Sequence, residues 1–300
     1  MKKAAFITGG ASGMGLAVAK ALSARENEDW DLHLVDLNEI AGKQAVSYLK
    51  EAHFHKTDVT DYDSLIAAFE AAFSISKRLD FVYANAGIVE RDNFYEKHDL
   101  SKPPPRPNQL TVDINLKSVI DTSYIARHYF RKNPNDENNM NTVPALVMTS
   151  SCGGLYPSEF CPMYSASKAG VIHFNRSIAY SYRLDGIRTY AMAPGTIKTN
   201  LMNGDEWASF PEKFFTPIET LVRAVVHIVD GGDLEDSRGK KVRGEDAYGL
   251  TVEVNGEKFY FRDGVDWCDG QMEDMMKFTG MENQLARIEK TKASMKTNGV

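Results

Sequence analysis

The amino-terminal segment restricts the possible folds more than any other part of the sequence. A short apolar run, Lys3–Thr8, leads into the turn TGGASGMG at residues 8–15, and a helical pattern follows at about 14–24. Glycine allows a tight turn and close approach to a pyrophosphate, while a helix amino terminus offers free N–H groups and a positive dipole end. The segment predicts a dinucleotide-binding strand–turn–helix unit. A small-residue turn that packs the helix on a sheet is the alternative.

The chain continues by alternating short apolar runs with longer helical patterns. Further strands are predicted at 31–37, 53–59, 79–84, 145–150 and 187–193, and helices at 41–50, 64–76, 110–130 and 163–183. Such alternation is typical of βαβ units, whose right-handed crossovers give a parallel sheet with helices on both faces. We therefore predict an α/β fold with a doubly wound parallel sheet (a Rossmann fold) in a single domain, which 300 residues can fill.

The carboxyl-terminal part departs from this alternation. Two apolar arms, 250–254 and 257–261, flank Asn255-Gly256, a pair that predicts a hairpin because both turn positions would need positive φ. The first arm is alternatively the last strand of the parallel sheet, with the second arm covering an edge. We predict a domain over 1–266, with a lid at about 196–216 and the strand or hairpin at about 248–262. Residues 267–300 are predicted to form a tail that is helical and then disordered.

The charge balance excludes one class of partner. The chain has 35 Lys and Arg residues against 41 Asp and Glu, a net charge of −6, so no broad basic face is available for nucleic acid. The basic run RGKKVR at 238–243 is flanked by acidic residues and predicts a solvated turn. The proline-rich segment KPPPRPN at 102–108 and the polar segment at 133–141 predict surface loops without an assigned role.

Cysteine usage and hydropathy indicate the compartment. Three cysteines without a C-x-x-C pair favour a reducing environment. No apolar stretch is long enough to span a membrane, and the apolar start ends at Ile7, too early for a secretion signal. We therefore expect a cytoplasmic protein. His53, His55 and His128 show no metal-ligand spacing, so we expect no metal site.

A carboxylate follows the glycine-rich turn at the distance that dinucleotide-binding folds require. Asp36 ends the second predicted strand, about 20 residues after the turn, where such a side chain holds the adenosine ribose hydroxyls of NAD. The same carboxylate would repel the additional phosphate of NADP, and neither Leu37 nor the turn supplies a cation. We therefore predict NAD in preference to NADP.

A tyrosine and a lysine form the second chemical signal. Tyr164 and Lys168 are spaced i, i+4 on a predicted helix, so they share one face. An ammonium beside a phenol stabilises the phenolate and lowers the tyrosine pKa, which suits proton exchange with an alcohol or alkoxide. Ser150 and Ser151 end the fifth predicted strand, at the sheet edge where ligands bind. An ordinary exposed Tyr–Lys pair is the alternative.

These motifs resemble the short-chain dehydrogenase/reductase family, of its shorter, classical kind, over about residues 3–199. The matches are T-G-x-x-x-G-x-G at 8–15, Ala84-Asn85-Ala86-Gly87 for the family's Asn-Asn-Ala-Gly, Asp58-Val59, Asn115, Ser151, Tyr164 with Lys168, and Pro194-Gly195 followed by Ile197 and Thr199. Ala84 departs from the family motif, which should weaken a structural hydrogen bond without abolishing binding. Stretches such as SSCGGLYPSEFCPMYSASKAG are most similar to the 15-hydroxyprostaglandin dehydrogenase-like subgroup.

The resemblance implies a catalytic set. Tyr164 would exchange the substrate proton, and Lys168 would lower the Tyr164 pKa and bind ribose hydroxyls. Ser151 would bind the substrate oxygen. Asn115 would position a water that relays the proton through Lys168, a role compatible with a structural, helix-kinking one. The implied cofactor-binding residues are Gly9, Ser12, Gly13, Met14, Gly15, Asp36, Asp58, Val59, Asn85, Ala86, Gly87, Tyr164, Lys168, Pro194, Gly195, Ile197 and Thr199.

The resemblance also implies an activity: an oxidoreductase acting on CH–OH groups. We predict that it interconverts an apolar secondary alcohol and its ketone, in the oxidative direction. The lid would present Met202, Trp207 and Phe210 to the substrate, although packing on the core accounts for such side chains equally well. A homodimer or homotetramer would form through the helices at about 110–130 and 163–183. The alternatives are a biosynthetic ketoreductase using NADH or NADPH and a nucleotide-sensing protein without chemistry.

Overall fold

The computed structural model describes residues 2–134 and 143–297, with side chains up to Thr291. A first compact unit ends at Arg262, and a second begins at Asp263. The strands of the first unit are β1 (Lys3–Thr8), β2 (Trp30–Asp36), β3 (Ala52–Lys56), β4 (Phe81–Ala84), β5 (Ala145–Thr149), β6 (Arg188–Pro194), β7 (Leu234–Glu235), β8 (Lys241–Val242), β9 (Leu250–Asn255) and β10 (Lys258–Arg262). Its helices are α1 (Gly13–Ser23), α2 (Glu39–Val46), α3 (Tyr62–Ser76), α4 (Leu110–Val112), α5 (Ser118–Phe130), α6 (Pro162–Leu184), α7 (Gly204–Ala208) and α8 (Ile218–Asp230).

Eight strands form one sheet in the order β10-β9-β6-β5-β4-β1-β2-β3. All neighbours pair in parallel except β10, which is antiparallel to β9 at the edge. This confirms the predicted α/β fold with a doubly wound parallel sheet. The strand order reverses between β1 and β4, which opens a crevice at their carboxyl ends.

Both faces of the sheet are covered by helices, because successive side chains of a strand point to opposite faces. In β1, Ala5 and Ile7 pack in one apolar cluster with residues of α1 and α8. Ala4 and Phe6 pack in a second cluster with residues of α3 and α5. Strands buried on both faces are nearly continuous in apolar residues, as β1 and β5 are.

The carboxyl-terminal arms satisfy both interpretations of the sequence. β9 pairs in parallel with β6 as a strand of the main sheet, and β10 folds back on it as a hairpin. The predicted turn is displaced by one residue, since Asn255 pairs with Lys258 and the two turn residues are Gly256 and Glu257. Positive φ falls on Gly256 alone, at 56°, because a two-residue turn with glycine first requires it only there.

Two predicted helices have different limits. α2 begins earlier than predicted because the Asn38 side chain accepts the N–H of Ala41, and it ends at Val46. The single helix predicted at 110–130 is divided, because a π-helical turn at Asp113–Lys117 separates α4 from α5. The basic run at 238–243 is partly strand, since it includes β8. Residues 135–141 of the predicted polar loop lie outside the described residues.

The second unit contains two helices where one was predicted. They are α9 (Gly270–Phe278) and α10 (Met281–Thr297). The Asp269 side chain caps α9 by accepting the N–H of Met272, and the chain turns at Thr279 and Gly280. Residues 298–300, the end of the predicted tail, lie outside the described residues. Within the described ranges, no helix combines the length and apolar composition needed to cross a bilayer.

Candidate active site

A hydrogen-bond network joins the carboxyl ends of three adjacent strands. The Thr8 hydroxyl oxygen accepts from the backbone N–H groups of Asn85 (2.9 Å) and Ala86 (3.0 Å). The Asn85 side-chain oxygen accepts from the Thr149 hydroxyl (3.1 Å), and its Nδ2 donates to the Thr8 carbonyl oxygen (3.2 Å). These bonds fix the loops after β1, β4 and β5 at the edge where doubly wound sheets bind their ligands.

The glycine-rich turn has the shape that a close-packed pyrophosphate requires. Gly9 and Gly13 have φ angles of 63° and 52°, which residues with side chains rarely adopt. A Cβ atom on Gly15 would lie 2.4 Å from the Gly9 carbonyl oxygen, so this position excludes any larger residue. Ser12 is the N-cap of α1 but makes no side-chain capping bond, and Met14 follows in the first turn. The positive end of α1 is therefore left for an anion.

Two carboxylates predicted to contact the adenosine half lie at the end of β2 and just after β3. Asp36 Oδ2 accepts the N–H of Ala11 (3.1 Å) and Oδ1 accepts the N–H of Asn38 (3.0 Å), which holds the carboxylate beside the glycine-rich turn. Each carboxylate oxygen keeps acceptor capacity for ribose hydroxyls. Asp58 is exposed and accepts from the backbone and hydroxyl of Thr60, whereas Val59 is buried.

The predicted catalytic side chains converge at the carboxyl end of β5. Tyr164 and Lys168 lie in the first two turns of α6. The Tyr164 ring lies near the Ser151 hydroxyl, because a Cβ atom on Gly153 would lie 3.5 Å from the ring and 3.6 Å from the Ser151 oxygen. The Lys168 amine donates to the Thr149 carbonyl oxygen (2.9 Å) and lies 5.7 Å from the centre of the Tyr164 ring. The Ser150 hydroxyl does not point to this group, because it donates a hydrogen bond to the Lys168 backbone carbonyl oxygen (2.7 Å).

The pKa of Tyr164 departs from the sequence prediction. Burial raises the pKa of the Tyr164 phenol, and the hydrogen bond from Ser151 only partly opposes this effect. Lys168 does not reverse it, because burial also lowers the pKa of the Lys168 amine to about 7, so this group loses part of its charge at neutral pH. The expected lowering of the Tyr164 pKa by a lysine at i, i+4 is therefore not found, since the desolvation of both groups dominates.

Asn115 lies buried in the π-helical turn between α4 and α5. Its Oδ1 accepts the N–H of Ile88 and its Nδ2 donates to the Ile88 carbonyl oxygen, both at 2.8 Å. A Cβ atom on Gly87 would lie 3.1 Å from Asn115 Oδ1 and 3.5 Å from the Lys168 amine, so a side chain there would crowd both groups. Asn115 thus has a structural role, and its part in a water relay stays a prediction.

The segment after β6 reaches back to the glycine-rich turn. Gly195 follows Pro194 and donates its N–H to the Val254 carbonyl oxygen (2.8 Å), while Ile197 is buried. A Cβ atom on Gly13 would lie 3.3 Å from the Thr199 Cβ, which brings this segment against the turn. Of the cofactor residues predicted at 194–199, Thr199 therefore lies beside the glycine-rich turn.

The lid residues that were predicted to meet the substrate have different surroundings. Trp207 is only 6% exposed, and its indole N–H donates to the Thr199 carbonyl oxygen (2.8 Å). Its ring contacts those of Phe210 and Phe215, with centroids 5.9 and 5.8 Å apart. Phe210 is 40% exposed, and Met202 is partly exposed. Trp207 therefore packs within the segment predicted to form the lid, and Phe210 and Met202 are more accessible.

A cavity of about 350 Å³ is lined in part by Cys152, the residue that follows Ser151. Phe214 and Phe215 supply apolar lining, whereas Lys213 and Glu253 supply polar lining. The cavity is therefore less apolar than the lid sequence alone indicates.

Two residues near this site were missed by sequence reasoning. Glu253 lines the cavity and accepts a hydrogen bond from the Tyr156 hydroxyl (3.2 Å). Glu90 is buried and accepts the N–H of Tyr164 (2.9 Å). A carboxylate between the valines of a buried strand was an available signal for Glu253. No local pattern identifies Glu90, because its partner is distant in sequence.

Comparisons with known proteins agree with this geometry. The family model described as short chain dehydrogenase matches residues 3–208. The short-chain dehydrogenase/reductase prx7 of Penicillium rubens is 43% identical over 285 residues, which cover 92% of this chain and 99% of that protein. The NAD(+) 15-hydroxyprostaglandin dehydrogenase of Homo sapiens is 32% identical over 212 residues, 68% of this chain and 71% of that protein.

A solved structure shows the same fold. The 3-ketoacyl-(acyl-carrier-protein) reductase of Brucella melitensis, solved with NADH, superposes with a TM-score of 0.65 at 21% identity, over 85% of this chain and 97% of that one. The family match covers the glycine-rich turn, Ser151, Tyr164 and Lys168 together. This chain therefore belongs to the short-chain dehydrogenase/reductase family, whose members are oxidoreductases that act on CH–OH groups.

Proposed function

We propose that this oxidoreductase interconverts an apolar secondary alcohol and its ketone, with NAD as the preferred cofactor and oxidation as the main direction. The observation that carries the proposal is that the Tyr164 ring lies near both the Ser151 hydroxyl and the Lys168 amine, at the carboxyl end of β5. A bound nicotinamide cofactor would supply the hydride chemistry that no side chain provides.

Each catalytic side chain has a separate task. The Ser151 hydroxyl orients the substrate oxygen, and the Tyr164 phenol exchanges a proton with it. The Lys168 amine, with a pKa of about 7, gains or loses a proton near neutral pH and can therefore pass it on from the Tyr164 side of the site. The exchange is protected from bulk water, because Lys168 and Ser151 are both buried.

The surroundings of the glycine-rich turn support a dinucleotide in the crevice. The open amino terminus of α1 is suited to the pyrophosphate, and Asp36 is suited to the adenosine ribose. Thr199 lies against Gly13, so the segment after β6 would cover the nicotinamide half. Preference for NAD rests on the Asp36 carboxylate, and the name of the human relative specifies NAD(+) as well.

Removing the Asp36 charge is expected to change the cofactor preference. In the variant Asp36→Asn, we expect the ratio of the NADPH to the NADH dissociation constant to fall by about tenfold or more, since the repulsion of the additional phosphate disappears. The remaining amide oxygen can still accept the N–H of Ala11, which protects the fold. Fluorescence titration of both reduced cofactors measures the ratio, and an unchanged ratio would rule out Asp36 as the selective residue.

The lid and the cavity support a substrate with a large apolar part. Phe210 and Phe214 are 40% and 57% exposed, and Phe214 also lines the cavity. Lys213 and Glu253 at the same cavity are suited to a polar group remote from the reacting carbon. The proposed substrate is therefore an apolar secondary alcohol that carries a second polar group.

Ketone reduction is the second candidate, and the ionisation state of Tyr164 favours it. Burial raises the pKa of this phenol, which favours the protonated form that donates to an alkoxide. Reduction would consume that proton, whereas oxidation requires the phenolate. A protein that only senses the nucleotide would need neither state.

The experiment that tests the proposal combines binding with turnover. Purified protein is titrated with NADH and NADPH and then assayed with NAD against cyclohexanol and aliphatic and benzylic secondary alcohols of increasing length. The corresponding ketones are assayed with NADH. Tighter NADH binding and rates that rise with apolar length support the proposal. Binding without turnover of any alcohol or ketone would favour the nucleotide sensor.

Assembly is the remaining part of the proposal. The helix α5 leaves Tyr124 69% exposed, an apolar ring that pairing through α5 and α6 would cover. We therefore expect a homodimer or homotetramer by light scattering at micromolar concentration, and dissociation in Tyr124→Glu. A wild-type monomer under these conditions would contradict this expectation.

A further inference from the structure

Glu90 is a buried carboxylate beside the start of the catalytic helix. Its side chain follows β4 and is 7% exposed. Glu90 Oε2 accepts the N–H of Tyr164 at 2.9 Å, whereas Oε1 is buried and has no hydrogen-bond partner in the described part of the chain. A buried carboxylate oxygen without a partner is costly, so its retention here requires an explanation.

The bond to Tyr164 replaces a missing helix cap. The helix α6 begins at Pro162, which has no N–H, and its N-cap residue Cys161 makes no side-chain capping bond. Tyr164 is the third residue of the helix, and an N-cap side chain ordinarily accepts the N–H at this position. Glu90 provides that acceptor from a distant part of the sequence and places its negative charge at the positive end of the helix.

The residues around Glu90 are anchored on both sides. Ile88 exchanges two hydrogen bonds with the Asn115 side chain. Arg91 Nη2 donates to the Leu201 carbonyl oxygen (3.0 Å), and Arg91 Nη1 pairs with Glu206 of the lid. The segment at 88–91 therefore contacts the π-helical turn, the first turn of α6 and the lid. Because its neighbours in sequence are anchored, the Glu90 carboxylate can fix the position of the first turn of α6.

We propose that Glu90 is a positioning residue for Tyr164, whose hydrogen bond keeps the first turn of α6 placed so that the phenol stays within reach of Ser151 and of the substrate oxygen. The inference rests on the proposed role of Tyr164. It adds a residue that the family resemblance did not identify. Because a misplacement of about 1 Å can cost about 100-fold in rate, we expect loss of the bond to lower kcat by about 10- to 100-fold.

Two variants of similar volume separate the bond from simple packing. Glu90→Met fills the same space without an acceptor, and Glu90→Gln keeps an acceptor oxygen for the Tyr164 N–H. Wild type and variants are assayed with NAD and the alcohol from the panel that wild type oxidises fastest. We expect the lower kcat in Glu90→Met, recovery to within about threefold of wild type in Glu90→Gln, and NADH affinity within about twofold in both.

A second cap serves as the control for general helix destabilisation. Asp61 accepts the N–H groups of Asp63 and Ser64 at the start of α3. Asp61→Ala should lower the melting temperature by an amount comparable to Glu90→Met, because both variants lose a helix cap, but it should leave kcat within about twofold. Equal losses of kcat in the two variants would assign the effect to stability and overturn the proposal.

A readout without substrate keeps the inference independent of the proposed function. In the NADH complex, ultraviolet difference titration against Tyr164→Phe reports the ionisation of Tyr164. Loosening the first turn of α6 exposes the phenol, so we expect its pKa to fall toward the ordinary value of about 10 in Glu90→Met and to stay raised in Glu90→Gln. An unchanged pKa in Glu90→Met would overturn the inference even if no alcohol were turned over. Activity retained in Tyr164→Phe would instead contradict the proposed function.

Discussion

Replacing Tyr164 by phenylalanine is expected to lower kcat for alcohol oxidation by a factor of about 100 to 10,000, the usual contribution of a general acid–base group. The substitution removes one oxygen atom from a partly buried ring and leaves the glycine-rich turn unchanged. NADH affinity should therefore stay within about threefold of wild type. Stopped-flow turnover and fluorescence titration measure the two quantities. Retention of kcat would exclude Tyr164 as the proton-exchanging group.

The pH dependence of the wild-type enzyme follows from the same residue. Burial raises the Tyr164 pKa, so the phenolate fraction increases with pH throughout the neutral and mildly alkaline range. Alcohol oxidation, which uses the phenolate, should accelerate as pH rises. Ketone reduction, which uses the phenol, should not. Rates that change in the same direction with pH would point to another titrating group.

Lowering the pH from 7 to 4 is expected to destabilise the protein by about 6 kcal/mol, about 3 kcal/mol from each of two histidines in a cluster between β2 and β3. His33 Nδ1 lies 3.0 Å from His55 Nε2, and His33 Nε2 lies 2.7 Å from the Ser76 hydroxyl oxygen. Ser76 donates to Asp31 Oδ2 (2.6 Å), so His33 must donate to Ser76 and accept from His55. If His33 were protonated, its Nδ1 would carry a hydrogen and could no longer accept from His55. The two N–H groups would then point at each other.

The pKa values give the direction of the effect. Burial lowers the pKa of His33 from 6.5 to about 3 and that of His55 to about 4. Repulsion from His55 and His53 adds to the shift of His33, and repulsion from His53 adds to that of His55. The folded protein therefore binds fewer protons than the unfolded chain below pH 6.5. The contribution of these two histidines to the free energy of unfolding is fully present above pH 6.5 and decreases as the pH falls toward 3. His53, Lys2 and Asp31 face the same cluster, and the hydrogen bond from Ser76 helps lower the Asp31 pKa, which extends the loss to lower pH.

Urea unfolding at a series of pH values measures this dependence. In His55→Gln, the amide N–H can still donate to His33 while one titrating group is removed, so the loss of stability between pH 7 and 4 should be roughly halved. His128→Gln is the matched control, because His128 is exposed on α5 and its removal should leave the slope unchanged. If the free energy of unfolding fell equally with pH in wild type and His55→Gln, the cluster would not control acid stability.

Local spacing predicts the parts of this protein that depend on neighbours in sequence. The period of two in β1 buries Ala4 and Phe6 on one face and Ala5 and Ile7 on the other, so strands and helices can be predicted from the pattern. Tyr164 and Lys168 lie on one face of α6 because the helical repeat puts them there. The helix α8 is absent from the prediction, although it packs on the core with an apolar face.

The sequence by itself determined the fold class, the family and which residue types carry the proposed chemistry, because each depends on periodicity and short-range spacing. Only the tertiary structure decided the pKa of Tyr164, since that value depends on burial from all sides. It also decided that Glu90 caps α6 and that His33 meets His55, because these contacts join residues on separate elements. Electrostatics and hydrogen bonding act across space, and a linear pattern does not record which distant side chains the folded chain brings together.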